Sequence, residues 1–176
     1  MTHTLVVTFV GPDRVGIVQR LSKLVASRGG NWEEGRMACL AGRFAGILKV
    51  TVEPAQAGAL VAALRGLEAE ELSVFVDDIG VFESQTLGDR SRLRLELTSL
   101  DHQGIVSEIS AVLASHRINI LDLTSERFEA PMSGDAMFRA VVELERPTDV
   151  SLEQLEDELR ALALDVVVQI ELSESG

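Results

Sequence analysis

The chain repeats itself. Asp13-Arg14-Val15-Gly16-Ile17-Val18 is matched 88 residues later by Asp101-His102-Gln103-Gly104-Ile105-Val106, and the same spacing relates Ser22 to Ser110, Ala26-Ser27 to Ala114-Ser115 and Asn31 to Asn119. A period this long exceeds a solenoid repeat and indicates a duplicated domain. The fold therefore has to be one that a unit of roughly 80 to 90 residues can form around its own core.

Hydrophobic patterning gives the order of elements in that unit. Thr4 to Val10 reads as a strand closed by Gly11-Pro12. Val15, Val18, Leu21 and Val25 recur at helical spacing, with Asp13 placed as the N-cap and Gly29-Gly30 as the stop. Asn31 to Leu40 and Phe44 to Val52 form a predicted hairpin about Ala41-Gly42; Pro54 to Glu70 reads as a helix and Leu72 to Ile79 as a strand. The second copy follows suit, with strands at 92–100, 118–128, 136–145 and 165–172 and helices at 103–116 and 151–163. Each copy is thus β-α-β-β-α-β, the ferredoxin-like order, and the fold class is α+β. The expected domains are 1–82 and 92–173, joined by a polar linker at 83–91.

The first strands of the two copies differ in an informative way. Leu5, Val7 and Phe9 align with Leu93, Leu95 and Leu97 and define the face beneath the helices, whereas Val6, Thr8 and Val10 stand opposite Arg94, Glu96 and Thr98. The first sheet's outer face is suited to being covered, by the other domain, another subunit or a different protein, and a homodimer through it is one such arrangement.

Composition excludes several function classes. A net charge of −12 argues against direct nucleic-acid binding, which rests on Lys and Arg neutralising phosphates. The acidic excess is concentrated in residues 83–176, which carry 8 basic and 19 acidic side chains against 8 and 9 in residues 1–82. A single cysteine, Cys39, excludes an intrachain disulfide and the Cys-x-x-Cys of a metal chaperone. With no apolar stretch of membrane-spanning length and no signal-peptide pattern, a cytoplasmic protein without membrane contact is expected. Six Phe, one Trp and no Tyr leave too few aromatics for an RNA-recognition sheet. No nucleophile-base pair, metal-ligand spacing or phosphate loop stands out, so no enzyme activity and no cofactor are expected.

The repeated motif remains as the candidate site. Gly16 and Gly104 stand where a first helical turn is predicted, at a cost of up to about 1 kcal/mol relative to alanine, which suggests that something approaches the backbone there. Helix N-terminal N–H groups can seat a carboxylate, and Asp13 or Asp101 could meet an ammonium, a combination suited to a free amino acid. Both aspartates are equally readable as N-caps, and Asn31 and Asn119, expected near the same turn, as polar residues easing a helix-to-strand turn. Trp32 reads as core, Asp77-Asp78 as a strand end, and His3 and His116 have no partner pattern.

Tandem β-α-β-β-α-β units carrying Asp-Arg-x-Gly-Ile-Val resemble ACT domains, small-molecule regulatory modules for amino acids. Asp13 to Val18, followed by Asn31-Trp32-Glu33-Glu34-Gly35-Arg36-Met37-Ala38 and Phe44, resembles the glycine cleavage system transcriptional repressor family more closely. That resemblance implies a regulator without DNA-binding elements that contacts a transcription activator in response to glycine or a similar amino acid. It implies ligand-binding roles for Asp13, Arg14, Val15, Gly16, Ile17, Val18 and Asn31, with Asp101, Gly104, Ile105, Val106 and Asn119 as counterparts. The chain departs from the family pattern at Val15, where proline is usual, at Trp32, where isoleucine is more typical, and at His102-Gln103, where Arg-Pro is commoner.

Overall fold

The structure is a computed structural model that describes residues 2–81, 90–162 and 167–172. The chain divides into two compact units, Met1–Gln85 and Thr86–Gly176. The first contains β1 (His3–Pro12), α1 (Ile17–Ser27), β2 (Asn31–Leu40), β3 (Arg43–Val52), α2 (Pro54–Arg65), a short 3-10 helix (Gly66–Glu70) and β4 (Ser73–Gly80). The second contains β5 (Arg90–Leu100), α3 (Ile105–Ser115), β6 (Asn119–Glu129), β7 (Ala136–Pro147), α4 (Leu152–Arg160) and β8 (Val167–Leu172). Each forms a four-stranded antiparallel sheet, in the orders β2-β3-β1-β4 and β6-β7-β5-β8. These are two ferredoxin-like units in tandem.

Alternation along the central strands sets the core. Leu5, Val7 and Phe9 on β1 and Leu48, Val50 and Val52 on β3 are buried with Leu21 and Val25 of α1 and Leu60 and Leu64 of α2. Leu93, Leu95 and Leu97 pack in the same way with Ile109 and Leu113 of α3 and Leu155 and Leu159 of α4. Burying one such leucine is worth roughly 1.5–3 kcal/mol. Each unit therefore closes its own core from local elements.

Several sequence expectations need correction. The predicted helix over 54–70 ends at Arg65, where Gly66, a poor helix former, passes the chain into the 3-10 turn that keeps Leu67 buried. Gly11-Pro12 does not close the first strand before residue 11: both pair with β3, Pro12 against Arg43 at the strand's last position, where a missing N–H is tolerated. The apolar stripe of α1 is not Val15, Val18, Leu21 and Val25. Val15 precedes the helix and is fully exposed, Val18 faces solvent, and Ile17, Leu21, Leu24 and Val25 form the inward face. Most of the predicted linker, 83–89, lies outside the described residues, while Arg90 and Ser91 belong to β5.

The 88-residue offset holds only to the end of the second strand of each copy. Ala41 and Gly42 make a two-residue hairpin with both φ values positive, at 50° and 74°, the conformation that continues the twist of paired strands. The second copy turns more slowly, through residues 130–135, where Ala130 donates to the Asp135 carbonyl. From there the offset becomes 94, so that Leu48 and Val50 correspond to Val142 and Leu144.

The outer faces diverge as the sequence implied. On the first sheet Val10, Ile47, Phe75 and Ile79 are exposed. On the second, Arg94 pairs with Glu96 and Glu143, and Arg139 with Glu96, in a lattice of charges. Hydrogen bonds to Arg94 and Arg139 hold the Glu96 carboxyl below its usual range.

Candidate functional site

The repeated motif sits at the turn from the first strand into the first helix of each unit. In both copies the aspartate N–H ties this turn to the neighbouring hairpin, Asp13 donating to the Gly42 carbonyl (3.0 Å) and Asp101 to the Ala136 carbonyl (2.8 Å). The helix is then opened by glycine rather than by aspartate. Gly16 has φ 97° and Gly104 φ 100°, and neither α1 nor α3 has a side-chain cap. The reading of Asp13 as an N-cap is therefore corrected. The glycines are required by a left-handed backbone that costs other residues about 1–2 kcal/mol, and a Cβ on Gly16 would meet nothing within 4 Å. Backbone conformation accounts for them without any close approach.

A cavity of about 510 Å³ opens beside the first of these turns. Pro12, Arg14, Val15, Gly16, Ile17, Arg20 and Leu21 form one wall; Leu67, Glu71 and Leu72 form the other. Arg14 and Glu71 pair across it through Nη2 and Oε2, both partners more than half exposed. An exposed pair of this kind is worth about 0–1 kcal/mol, so it opens to a competitor at little cost. Two guanidinium groups and one carboxylate around an apolar floor can meet a carboxylate and an ammonium on one small molecule.

Of the residues singled out from the sequence, Arg14, Val15, Gly16 and Ile17 line this cavity. Asp13, Val18 and Asn31 are not among its lining residues. Asp13 turns toward the β2-β3 hairpin, where its Oδ2 accepts from Cys39 Sγ at 3.3 Å. The acid in the cavity is Glu71 instead. Asn31 is at the opposite end of the sheet, opposite Thr51, which itself pairs with Thr4 at the beginning of β1. The expectation that Asn31 lies near the turn fails because α1 carries the chain back along the whole length of the strand. Asn119 fails likewise, paired with Glu145 opposite Arg92.

The second turn is furnished differently. His102 Nε2 lies 3.0 Å from Glu108 Oε2, with Nδ1 3.4 Å from the Leu100 carbonyl, and Glu108 Oε1 is the nearest atom to a Cβ built on Gly104. The Glu108 carboxylate, helped by that carbonyl, holds the His102 imidazolium above its ordinary range. Asp101 accepts from Arg127 Nε at 2.8 Å. Ile105 is buried in the core of its unit, while Val106 is exposed.

Glu71 and Arg20 are the charged cavity residues that sequence reasoning missed, alongside the apolar Pro12, Leu21, Leu67 and Leu72. Arg20 stands one helical turn beyond Gly16 and could have been found from the helical period. Glu71 ends the 3-10 turn with φ 65° and has no sequence signal that distinguishes it from its acidic neighbours. Among other residues, Trp32 packs against the core as expected. His116, read as lacking a partner, has one in Glu158 at 2.9 Å, and His3 Nδ1 lies 3.4 Å from Asp78. Asp78 also caps the strand end by accepting from the Gly80 N–H. The Asp13 carboxylate pushes the exposed Cys39 thiol up, away from reactivity. Among the described residues no group of three or more His, Cys, Asp or Glu could hold a metal ion, and no helix is long and apolar enough to cross a membrane.

Comparison with known proteins agrees with this architecture. The ACT domain model matches residues 3–77. The glycine cleavage system transcriptional repressor of Escherichia coli K12 is 25% identical over 171 residues, covering 95% of this chain and 87% of that protein. The repressor of the same name from Shigella flexneri gives the same figures. An unidentified protein from Galdieria sulphuraria superposes with a TM-score of 0.86 at 28% identity, over 99% of this chain and 100% of the other. A candidate glycine cleavage system transcriptional repressor superposes with a TM-score of 0.71 at 22% identity, over 99% of both chains, a likeness of fold.

Proposed function

We propose that this chain, whose residues 3–77 match the ACT domain model and whose sequence resembles the glycine cleavage system transcriptional repressor, is a non-enzymatic regulator holding a free amino acid at its first strand-to-helix turn. The observation that carries this reading is the cavity beside Gly16, in which Arg14, Arg20 and Glu71 surround an apolar floor of Ile17, Leu21, Leu67 and Leu72. A ligand carboxylate meets the two guanidinium groups and the N–H groups at the start of α1, and the ammonium meets Glu71. Glycine or a similarly small amino acid fits the resemblance. The regulator then acts by contacting a transcription activator rather than DNA, in keeping with the charge of −12. A cytoplasmic location follows from that role.

Calorimetry of the purified chain against glycine, serine and alanine tests the reading. Saturable binding, with a rise in unfolding temperature corresponding to roughly 2.7 kcal/mol at 100 times the dissociation constant, is expected. Flat titrations with every common amino acid would leave a second reading, a ligand-free interaction scaffold. That reading is favoured by the outer face of the first sheet, where Phe75 is 68% and Ile47 49% exposed. The same face is where a homodimer would form. Sedimentation at high protein concentration distinguishes a dimer from a monomer, and Phe75→Glu is expected to leave only monomer.

A further inference from the structure

We infer that the end of the second sheet beside the loop 130–135 is a docking surface for a partner protein that presents a basic amphipathic helix. The inference rests on the protein-contact part of the reading proposed above and deepens it by giving that contact a surface and a partner chemistry. Leu100 and Phe128 both stand in register with Met137, so the three side chains form one row across β5, β7 and β6. The row lies on the outer face, because Ser99 and Phe138, one residue along on their strands, are buried on the inner one. Leu100 and Phe128 are exposed and Met137 is half-buried. The equivalent row of the first sheet, Pro12, Arg43 and Leu40, is interrupted by its central arginine. Contiguous apolar side chains at a surface, unlike scattered ones, mark a contact site.

The adjoining loop adds a fourth apolar side chain. Where the first copy turns through Ala41 and Gly42, the second uses residues 130–135 and holds them by their own hydrogen bonds, the Ala130 N–H donating to the Asp135 carbonyl and the Gly134 N–H to the Ala130 carbonyl, both at 2.9 Å. This built turn presents Met132 wholly to solvent, where it adds nothing to the core, and methionine packs adaptably against apolar partners. Charge around the row selects the partner's sign. Residues 119–139 carry four acidic and two basic side chains. Both arginines are already engaged, Arg127 with Asp101 and Arg139 with Glu96. The corresponding residues 31–45 of the first copy carry two of each sign. Three side chains set apart by the roughly 4.8 Å between strands match the i, i+4 and i+7 positions of a helix, whose turns repeat about every 5.4 Å. A helix with an apolar stripe at those positions and Lys or Arg beside it therefore fits across the strands. A second copy of this chain would bring a net charge of −12 to the same acidic surround and is disfavoured.

Methyl NMR of the full chain, labelled at its four methionines and titrated with a leucine–lysine amphipathic helical peptide and with its leucine–glutamate counterpart, tests the inference. Met132 and Met137 are expected to shift saturably with the lysine peptide and not with the glutamate one, while Met37, packed on the core of the first unit, stays in place. Met132→Ser with Phe128→Thr, both at exposed positions, is expected to weaken that binding roughly tenfold or more as read at Met137, with an unchanged circular dichroism spectrum. Glycine calorimetry on this variant is expected to match the parent, so a flat glycine titration counts against the amino-acid reading without touching this surface. Peptide binding that survives the double variant but is lost in Phe75→Glu would place the contact on the first sheet, overturning the inference while the protein-contact reading stands. Shifts of Met132 that grow with protein concentration in the absence of peptide would assign the surface to a second copy and overturn the partner chemistry. No shift at Met132 or Met137 with the lysine peptide would overturn the surface itself.

Discussion

Gly16 illustrates how a single residue can look functional for a conformational reason. Its φ of 97° is inaccessible to most side chains at ordinary cost, yet a Cβ there would have open space around it. Gly16→Ala is therefore expected to destabilise the protein by about 1–2 kcal/mol in denaturant unfolding, and Gly16→Asn by less, because asparagine tolerates the left-handed region. Equal losses for the two would indicate that steric contact, not φ, restricts the position. His102 gives a pH-dependent counterpart. Its pKa is raised in the folded state by the Glu108 carboxylate and then by the Leu100 carbonyl. A raised folded pKa contributes stability that is fully present below the unfolded histidine value and is lost as pH rises through the folded one. NMR titration is expected to place the His102 midpoint above about 6.5, and Glu108→Gln to bring it down.

At the scale of elements, helices of similar length are started by different means. α4 has a side-chain cap, Ser151 Oγ accepting from the Gln154 N–H at 3.3 Å, while α1 and α3 are opened by left-handed glycines with no such bond. Ser151→Ala is expected to cost about 1 kcal/mol, and Asp13→Ala, despite the favourable cap residue it removes, is expected to cost no capping energy. Comparison of the two unfolding midpoints checks this. What fixes α1 instead is its inward stripe: Leu21 has no solvent exposure, so Leu21→Ala is expected to cost about 2–5 kcal/mol. The periodicity that located α1 is the same physical signal that buries it, and so the helix was legible in the sequence. Its start was not, because Val15 is apolar and in phase with the helix but lies before the glycine that sets the first turn.

For the whole molecule, each unit owns its core. The buried cluster of the first draws on residues from Leu5 to Val76, and that of the second on residues from Leu93 to Val168. The isolated stretch 1–85 is thus expected to fold and to unfold in one cooperative transition by circular dichroism, and a non-cooperative loss of signal would contradict this. Duplication also explains why the two halves can diverge. Once the core face of each sheet is satisfied by the same alternation, the outer face and the turn at Gly16 or Gly104 are free to change charge. One outer face is apolar around Ile47 and Phe75, while the other is the lattice of Arg94, Glu96, Arg139 and Glu143.

The sequence alone determined the duplication, the β-α-β-β-α-β order, the buried faces and the contrast between the outer faces. These are written in periodicities of two and 3.6, which depend only on near neighbours along the chain. It also marked the turn that borders the cavity, through four of the residues that line it. Tertiary structure decided what completes that cavity: Glu71 and Leu72 arrive from a segment over 50 residues away and carry no local signature. It likewise decided that Asp13 turns to Cys39, that Asn31 stands at the far end of the sheet, and that Glu108 closes on His102. Such pairings are set by which strands lie side by side and where a side chain can reach. That is a property of the assembled fold and not of any stretch of chain.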